Sequence, residues 1–426
     1  MLVITPLLLS RNGLRGWRNE MIPRLKPFTG KEELKALFSY LPHAVKKFEE
    51  DFAHTFNTKF ALAFPYGRSA LWAFFKAMDI KGAEVVQPAY TCSVVGHATV
   101  LSGNTPCFVD CTLYDYNMDL DLLEGAINEH TRAVIPTHLF GYPMDIHQIT
   151  EIVREAEKRY SQRIYIIQDC AHSFEAEWKG ESVINAGDGA LFSLNISKQV
   201  TSIFGGMFTT NDEEIGKKLQ AWRDEHFLEK KWMEKLSRFL YLPAAMIAFT
   251  PTIYGFTYWL QDRTSILKGL TDAYHLDDKI HFPPDFDHLL CNTEARVGIV
   301  QLKKYQNIKH LRREIADFYF ENLKPPSSWV LPPRVQGATF SHFPIRVPNR
   351  DDILQLAAKK GVQLGCLIEY SMPYLKAYKK FSKNTEYNNS LLCSKSMINL
   401  PIYPGIDSRS LNKVLPMINS GYLWKK

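Results

Sequence analysis

An acid and an amine, Asp169 and Lys198, occupy positions where the sequence predicts the ends of two buried strands. Residues 164–167 form a short apolar run rich in branched side chains, which is typical of a fully buried strand. Residues 190–194 form a second such run, and the turn at residues 195–197 leads directly to the lysine. Because ligands of open α/β sheets bind at the carboxyl ends of strands, we expect both side chains to meet at one sheet edge.

A lysine amine beside a carboxylate is suited to carbonyl chemistry. The amine of Lys198 can form a Schiff base with an aldehyde, and Asp169 can keep a pyridine nitrogen protonated so that the ring accepts electrons. A pyridoxal 5′-phosphate (PLP) site requires these two groups. The alternative for each residue alone is structural, since loop lysines are commonly solvated and an aspartate at a strand end commonly caps a turn.

Short apolar runs alternate with helical patterns over residues 60–212, and this alternation predicts crossover connections and a mainly parallel sheet. The predicted strands are residues 60–64, 85–87, 107–110, 133–137, 164–167 and 190–194. The predicted helices are residues 70–78, 145–159, 294–303 and 308–322. The expected fold class is therefore α/β.

Several segments, in the same order along the chain, resemble the DegT/StrS-type sugar aminotransferases, which are PLP enzymes of fold type I. The segments are KFALAFPYGRSALWAFFKAMDI, VVQPAYTCSVVGHATV, AVIPTHLFGYPMDIHQI, QDCAHSFEAEWKG, GALFSLNISKQVTSIFGGMFTTND, GIVQLKKYQNIKHLRREIADFY, SHFPIRV and INLPIYPGI. The resemblance implies a large domain with a mainly parallel seven-stranded sheet between helices and a smaller C-terminal α/β domain. It also implies PLP as cofactor and a homodimer.

The resemblance assigns Lys198 as the catalytic lysine, which bonds the cofactor and then moves the proton, with Asp169 at the pyridine nitrogen. Partial burial beside a cationic ring is expected to lower the pKa of this lysine. Ser193 matches the family's phosphate-binding serine. His172 stands where the family has glutamine or histidine, near the phenolic oxygen of the cofactor or the substrate carboxylate. The alternative for His172 is a hydrogen-bonded core histidine.

The phosphate is expected at the helix that follows Gly67, because backbone N–H groups and the helix dipole favour an anion there. Arg68 and Ser69 stand where the family has small hydroxyl residues or alanine. Arg68 either forms a charge-assisted fork to the phosphate or points to solvent or the partner subunit. Cys92 stands where many members stack an aromatic ring on the cofactor, and it is included in the expected cofactor site.

Other positions also depart from the family pattern. Phe204 replaces a glutamate before the glycines of the lysine loop. The family's partner-subunit asparagine aligns with Asp287, and a nearby arginine aligns with Leu289. An acid there would repel phosphate, so this contact is not carried over, and Asn292 is the alternative polar group. Because the catalytic amine and acid remain, these changes indicate an altered substrate rather than an inactive protein.

Residues 227–285 depart from the α/β alternation and are interpreted as an insertion. Within them, residues 239–260 are almost uncharged and aromatic-rich, and Pro243 and Pro251 are expected to interrupt any helix. A packed roof or dimer contact is the first interpretation, an element in a membrane interface the second, and a spanning segment the third. The expected division is an N-terminal extension (1–25), a large PLP-binding domain (26–226), the insertion (227–285) and a small C-terminal domain (286–426).

The composition is that of an ordinary globular protein. Of 426 residues, 46% are hydrophobic and 23% are charged, which suffices for two domains with a substantial core. The net charge of +6 is mild and no nucleic-acid motif accompanies it, so no nucleic-acid partner is expected. Seven scattered cysteines favour a reducing, cytoplasmic compartment, and no metal site is expected at Cys107 and Cys111.

The apolar start of the chain, residues 2–9, is too short to span a bilayer, and its basic residues follow rather than precede it. We therefore expect an extension that packs on the fold or touches a membrane surface, rather than a secretion signal. A peripheral membrane contact through residues 239–260 belongs to the same hypothesis.

The expected activity is transfer of an amino group, from L-glutamate, to the keto group of a sugar or cyclitol. In the family this acceptor is often a nucleotide-linked 4-keto-6-deoxy sugar for polysaccharide or antibiotic synthesis. Related PLP-dependent sugar dehydratases replace the lysine with histidine, so Lys198 disfavours that alternative. A membrane-associated scaffold protein that keeps the fold without turnover is a further alternative. The apolar insertion favours it, whereas Lys198, Asp169 and Ser193 oppose it.

Overall fold

A computed structural model describes residues 21–263, 279–382 and 385–419, with no side chains described at 261–263. The strands, in chain order, are β1 (Phe60–Phe64), β2 (Glu84–Pro88), β3 (Thr105–Val109), β4 (Thr131–Val134), β5 (Tyr165–Asp169), β6 (Glu177–Trp178), β7 (Glu181–Ser182), β8 (Gly189–Ser193), β9 (Gly206–Thr210), β10 (Phe343–Arg346) and β11 (Met397–Leu400). The expectation for residues 2–9 lies outside the described residues.

The helices, in chain order, are α1 (Lys31–Phe38), α2 (Ala44–Thr55), α3 (Gly67–Ala77), α4 (Ser93–Leu101), α5 (Leu123–Ala126), α6 (Ile146–Tyr160), α7 (Glu213–His226), α8 (Trp232–Ala248), α9 (Pro251–Arg263), α10 (Asn292–Asn322), α11 (Arg350–Lys359), α12 (Asn388–Ser396) and α13 (Ser408–Asn419). Asp145 caps α6 by accepting hydrogen bonds from the amides of His147 and Gln148.

The main sheet has seven strands in the order β1-β9-β8-β5-β4-β2-β3. Strands β3, β2, β4, β5 and β8 pair in parallel, and β9 is antiparallel to its neighbours β1 and β8. The strands are buried because helices connect them, and this burial explains their apolar sequences. The structure confirms the expected α/β class with a mainly parallel seven-stranded sheet. The parallel strands direct their carboxyl ends to one edge, where the candidate site lies.

Helix α10 is a single helix of 31 residues, whereas the sequence predicted two helices over this range. The predicted break at residues 304–307 contains neither proline nor glycine. Leu302, Tyr305 and Ile308 continue one buried face across it at helical spacing, so the apolar face persists where a loop was expected. This helix contributes to more than one core: Leu302 and Tyr305 belong to one, and Ile315 and Tyr319 to that of the C-terminal region.

The C-terminal region is built on a small sheet in which β10 and β11 pair antiparallel. Phe343, Ile345 and Ile398 from these strands are fully buried, with side chains of α11 and α13 packed in the same core. The N-terminal segment joins this region, since Ile22 pairs with Val362.

The insertion forms α8 and α9 in its described part. Pro243 lies inside α8, so the expectation that it interrupts a helix is wrong, whereas Pro251 does begin a new helix. Leu242 and Met246 pack against a core that includes Leu37, and this packing holds α8 together through the proline. Within the described residues no single helix has the length and apolarity to cross a membrane. The pair Trp232–Ala248 and Pro251–Leu260, bent by 105°, passes that test together.

Candidate active site

The carboxyl end of β5 holds Asp169 at the same sheet edge as Thr137, which follows β4. The Thr137 hydroxyl donates a hydrogen bond to Asp169 Oδ2 at 3.3 Å, and the Ala171 amide donates to Oδ1 at 3.0 Å. Burial raises the pKa of Asp169, although both donors and Lys198 oppose the rise. Because a neighbouring cation favours the ionised carboxylate, this buried acid is suited to pairing with a protonated pyridine nitrogen.

The loop after β8 presents Lys198. Its backbone amide donates to the Asn195 carbonyl at 2.9 Å, which closes the turn, and the buried residues Gln199 and Val200 anchor the chain immediately after the lysine. Burial lowers the pKa of the Lys198 amine, as predicted, with Asp169 among the groups that oppose the shift. The amine is therefore neutral, and able to act as nucleophile or base, at lower pH than an ordinary lysine.

His172 lies beside the lysine in an aromatic environment. Its ring stacks on Phe140, with centroids 6.5 Å apart, and the ring of His342 lies 5.2 Å away. Burial, Lys198 and His342 lower the pKa of His172 well below its ordinary value, so the imidazole is neutral. Its Nδ1 is buried and has no hydrogen-bond partner among the described residues.

Helix α3 begins at Gly67 and approaches β8 very closely. A Cβ atom on Gly67 would lie 2.9 Å from the carbonyl oxygen of Phe192, so only glycine fits without displacing the backbone. Ser193, the next residue of β8, lines a cavity that also contains Lys198. Ser69 is fully buried in the first turn of α3, and its hydroxyl has no hydrogen-bond partner among the described residues. A helix N-terminus with two serines is suited to binding a phosphate.

Arg68 and Cys92 line the same cavity. Arg68 is 6% exposed, with its guanidinium carbon 5.7 Å from the centroid of the Tyr66 ring, so it does not point to solvent. Cys92 precedes α4, where the amide of Ser93 donates to the hydroxyl of Tyr370 at 2.8 Å. This contact joins the start of α4 to the C-terminal region at the wall of the cavity.

The cavity has a volume of about 590 Å³, which is typical of small-molecule sites. It brings together seven of the predicted site residues: Gly67, Arg68, Cys92, Asp169, His172, Ser193 and Lys198. The eighth, Ser69, lies in the first turn of α3 next to this lining.

Residues 35–419 match the DegT/DnrJ/EryC1/StrS aminotransferase family. The chain belongs to this family. The match extends from α1 to the last residue of α13 and thus includes every predicted site residue.

Relatives support this assignment over nearly the whole chain. The chain is 24% identical to the spore coat polysaccharide biosynthesis protein SpsC of Bacillus subtilis, covering 94% of this chain and 97% of SpsC. Its fold is similar to that of the putative sugar aminotransferase Spr1654 from Streptococcus pneumoniae in its PMP form. There the TM-score is 0.73 at 21% identity, covering 94% of this chain and 98% of that one.

A further similar structure is a GDP-4-keto-6-deoxymannose-3-dehydratase, ColD, with bound GDP-perosamine. The TM-score is 0.73 at 17% identity, and the similarity covers 93% of this chain and all of that chain. Proteins of this fold thus include both a putative sugar aminotransferase and a dehydratase. Fold type I is confirmed for this chain, and PLP is the cofactor of the family's aminotransferases.

The residues of this family member fit PLP. Asp169 offers a carboxylate for the pyridine nitrogen, and Lys198 offers a neutral amine for the carbonyl carbon. The unpaired hydroxyl of Ser69 and the unpaired Nδ1 of His172 are buried polar atoms that lack partners among the described residues. Such atoms cost free energy unless a ligand completes their hydrogen bonds, and a phosphate and a phenolic oxygen supply what they need.

Several cavity residues were not predicted. Arg24, Tyr66, Thr137, Glu369 and Tyr370 line the cavity, and His342 lies against His172. Thr137 ends the predicted strand at residues 133–137, so the rule that placed Asp169 at the sheet edge also applied to it. The others come from loops and from distant parts of the chain, which no local periodicity brings together.

The insertion supports one wall of this cavity. The guanidinium of Arg238 in α8 donates to the Tyr66 hydroxyl at 3.0 Å, and that hydroxyl donates to Asp285 at 2.8 Å. Burial raises the pKa of Tyr66, so the phenol remains protonated. The guanidinium carbon of Arg238 also lies 4.1 Å from the ring centroid of Phe204, a cation–π contact.

The alternative polar positions named in the sequence analysis do not line the cavity that contains Lys198. Asp287 and Asn292 are outside the lining of the lysine cavity, and Asn292 lines a second cavity of about 670 Å³. All seven cysteines fall within the described residues, and none of them forms a disulfide with another. The described part of the chain contains no group of three His, Cys, Asp or Glu side chains placed to hold a metal ion.

Proposed function

We propose that this protein is a PLP-dependent aminotransferase that moves an amino group from L-glutamate to the keto group of a nucleotide-linked sugar. The observation that carries the proposal is the pairing of a low-pKa lysine, Lys198, with a buried acid, Asp169, in one cavity. The unpaired atoms of Ser69 and His172 add the polar contacts that the cofactor needs.

Each residue has a role in this proposal. PLP bound in the cavity supplies a carbonyl carbon for amine exchange and a protonated pyridine ring that accepts electrons. Asp169 keeps the ring nitrogen protonated, while the start of α3, Ser69 and Ser193 hold the phosphate. Lys198 Nζ would hold the carbonyl carbon of the cofactor and would accept the proton from the donor's α-carbon. Neutral His172 hydrogen-bonds the phenolic oxygen or the substrate carboxylate without adding charge.

The nucleotide-linked acceptor is proposed from the relatives of this chain and from the size of its cavity. SpsC is named for polysaccharide biosynthesis, and the dehydratase of similar fold holds GDP-perosamine. The chain's own cavity is large enough for a sugar beside a cofactor and opens between the large sheet and the C-terminal region. Polysaccharide or secondary-metabolite sugar synthesis is the setting that we propose.

The test is conversion of nucleotide-linked 4-keto-6-deoxy sugars by the PLP-loaded protein with L-glutamate, followed by mass spectrometry. We expect an amino sugar and an equal amount of 2-oxoglutarate. A product that has lost water and gained no nitrogen would instead identify a dehydratase. A protein that binds no PLP and converts no sugar would identify a scaffold. The matched control is Lys198→Ala, which is expected to convert nothing.

We further propose that the protein acts in the cytoplasm as a homodimer and that α8 contacts a membrane surface. One side of α8 exposes apolar residues, namely Met233, Leu236, Leu240 and Ile247. Lys231 and Lys235 beside them are exposed cations, which suit anionic lipid headgroups. Wild type, but not Leu236→Asp/Leu240→Asp, is expected to sediment with anionic liposomes. Failure of the wild type to sediment, or conversion of a dimer to monomers by the double substitution, would contradict the membrane contact.

A further inference from the structure

Arg24 is a cation of the cavity that comes from outside the catalytic sheet. The segment at residues 21–24 pairs with the C-terminal region through Ile22 and Val362, and this pairing carries Arg24 to the wall of the cavity that contains Lys198. The Arg24 amide donates to Gln363 Oε1 at 3.1 Å, and its guanidinium Nη1 donates to the Cys366 carbonyl at 3.1 Å.

The guanidinium of Arg24 has N–H donors that make no hydrogen bond within the described residues. Among the described residues its one hydrogen-bond acceptor is the Cys366 carbonyl, and no carboxylate lies within 4 Å to form an ion pair with it. A guanidinium carries five N–H donors in a planar fork, so most remain for a ligand. The cavity contains two arginines, Arg24 and Arg68, beside the two acids Asp169 and Glu369.

The insertion fixes the position of this arginine. Tyr254 of α9 is 7% exposed, and its hydroxyl donates at 2.5 Å to Gln363 Oε1, the atom that also accepts from the Arg24 amide. Gly365 leaves room for the side chain, because a Cβ atom there would lie 3.3 Å from Arg24 Cδ. Contacts on both the backbone and the side chain of Arg24 reduce the conformational entropy that binding a ligand would cost.

We propose that Arg24 binds an oxyanion of a substrate and that Tyr254, acting through Gln363, is a positioning residue for it. The inference rests on the proposed function, since both substrates of that reaction carry oxyanions. L-glutamate has carboxylates, and a nucleotide-linked sugar has a diphosphate. A guanidinium fork recognises either group through paired charge-assisted hydrogen bonds. The apolar insertion of this chain is thereby linked to substrate recognition.

The test compares wild type with Arg24→Gln and with the matched control Arg334→Gln. Arg334 is an exposed arginine, far from Arg24 in the sequence, that pairs with Asp317. Calorimetric titration of the PLP-loaded proteins with GDP, UDP, dTDP and inorganic diphosphate measures phosphate binding. The dependence of the glutamate-driven spectral change on L-glutamate concentration measures carboxylate binding. We expect Arg24→Gln to weaken one of these at least about tenfold, as loss of a charge-assisted bond does.

Loss of nucleoside diphosphate binding alone would assign the oxyanion to the acceptor, and loss of glutamate binding alone would assign it to the donor. Equal behaviour of Arg24→Gln and Arg334→Gln in both titrations would overturn the proposal. Arg24→Lys keeps the positive charge without the planar fork of donors, and it is expected to recover binding in part. This second variant tests the proposal if Arg24→Gln folds poorly. A wild type that ignores L-glutamate would contradict the proposed function, while the phosphate titrations would still test Arg24.

Tyr254→Phe removes only the hydroxyl that reaches Gln363. We expect it to weaken the same ligand as Arg24→Gln, by a smaller factor, with the PLP spectrum and kcat unchanged. Wild-type affinity in Tyr254→Phe would refute the positioning role.

Discussion

At the scale of single residues, the site depends on a lysine and an acid whose burial shifts both pKa values toward the neutral forms. Lys198 becomes more nucleophilic in this environment, whereas the ionised form of Asp169 is stabilised by pairing with a cation. The sequence predicted both residues from the sheet-edge rule together with the family resemblance, and the structure brings both to one cavity. The sequence did not predict Arg24 or His342, because both lie far from Lys198 in the chain and no sequence motif relates their positions to it.

The lowered pKa of Lys198 predicts how cofactor-free protein captures PLP as pH changes. The amine is protonated and unreactive below its pKa and neutral above it, so the capture rate rises with pH. Because burial lowers this pKa, the midpoint is expected below the ordinary lysine value of about 10.4. Stopped-flow absorbance measures the rate, with Nα-acetyl-lysine as the reference amine. A midpoint at or above that of the reference would contradict the electrostatics described for Lys198.

At the scale of elements, the phosphate side of the site depends on the close approach of α3 to β8. The sequence predicted this helix to start later, at residue 70, because the apolar pattern begins there, while the structure starts it at Gly67. Gly67 lies against β8 in the structure. Two further differences also coincide with tertiary packing. Helix α8 continues past Pro243, and the two helices predicted over residues 294–322 form the single helix α10. Local propensity is overridden where buried side chains continue a face.

Substituting Gly67 tests the approach of the helix to the strand. In Gly67→Ala the new Cβ would lie 2.9 Å from a backbone carbonyl, which cannot rotate away. We expect the free energy of unfolding to fall by about 1–3 kcal/mol and the affinity for PLP to fall with it. Thermal unfolding with and without PLP measures both effects.

Gly125→Ala in α5 is the matched control, because a Cβ there meets no atom within 4 Å. It is expected to leave stability unchanged or to raise it slightly. Equal stability of the two variants would show that the start of α3 has room for a side chain.

At the scale of the whole molecule, the seven-stranded sheet and the C-terminal region are joined by α10, whose side chains enter the cores of both. The alternation of strands and helices was sufficient to predict the α/β class. The path of the insertion was not predictable, because an apolar, aromatic stretch is compatible with a roof, a subunit contact and a membrane surface. Its contacts with Tyr66 and Gln363 appear only when the chain is folded.

The most direct test of the central claim is the absorbance spectrum of the PLP-loaded protein before and after addition of L-glutamate, with Lys198→Ala beside the wild type. We predict that the band of lysine-bound PLP converts to that of pyridoxamine phosphate in the wild type and that no such conversion occurs in Lys198→Ala. A wild type that binds no PLP, or whose spectrum ignores L-glutamate and other amino donors, would contradict the assignment of this cavity as an aminotransferase site.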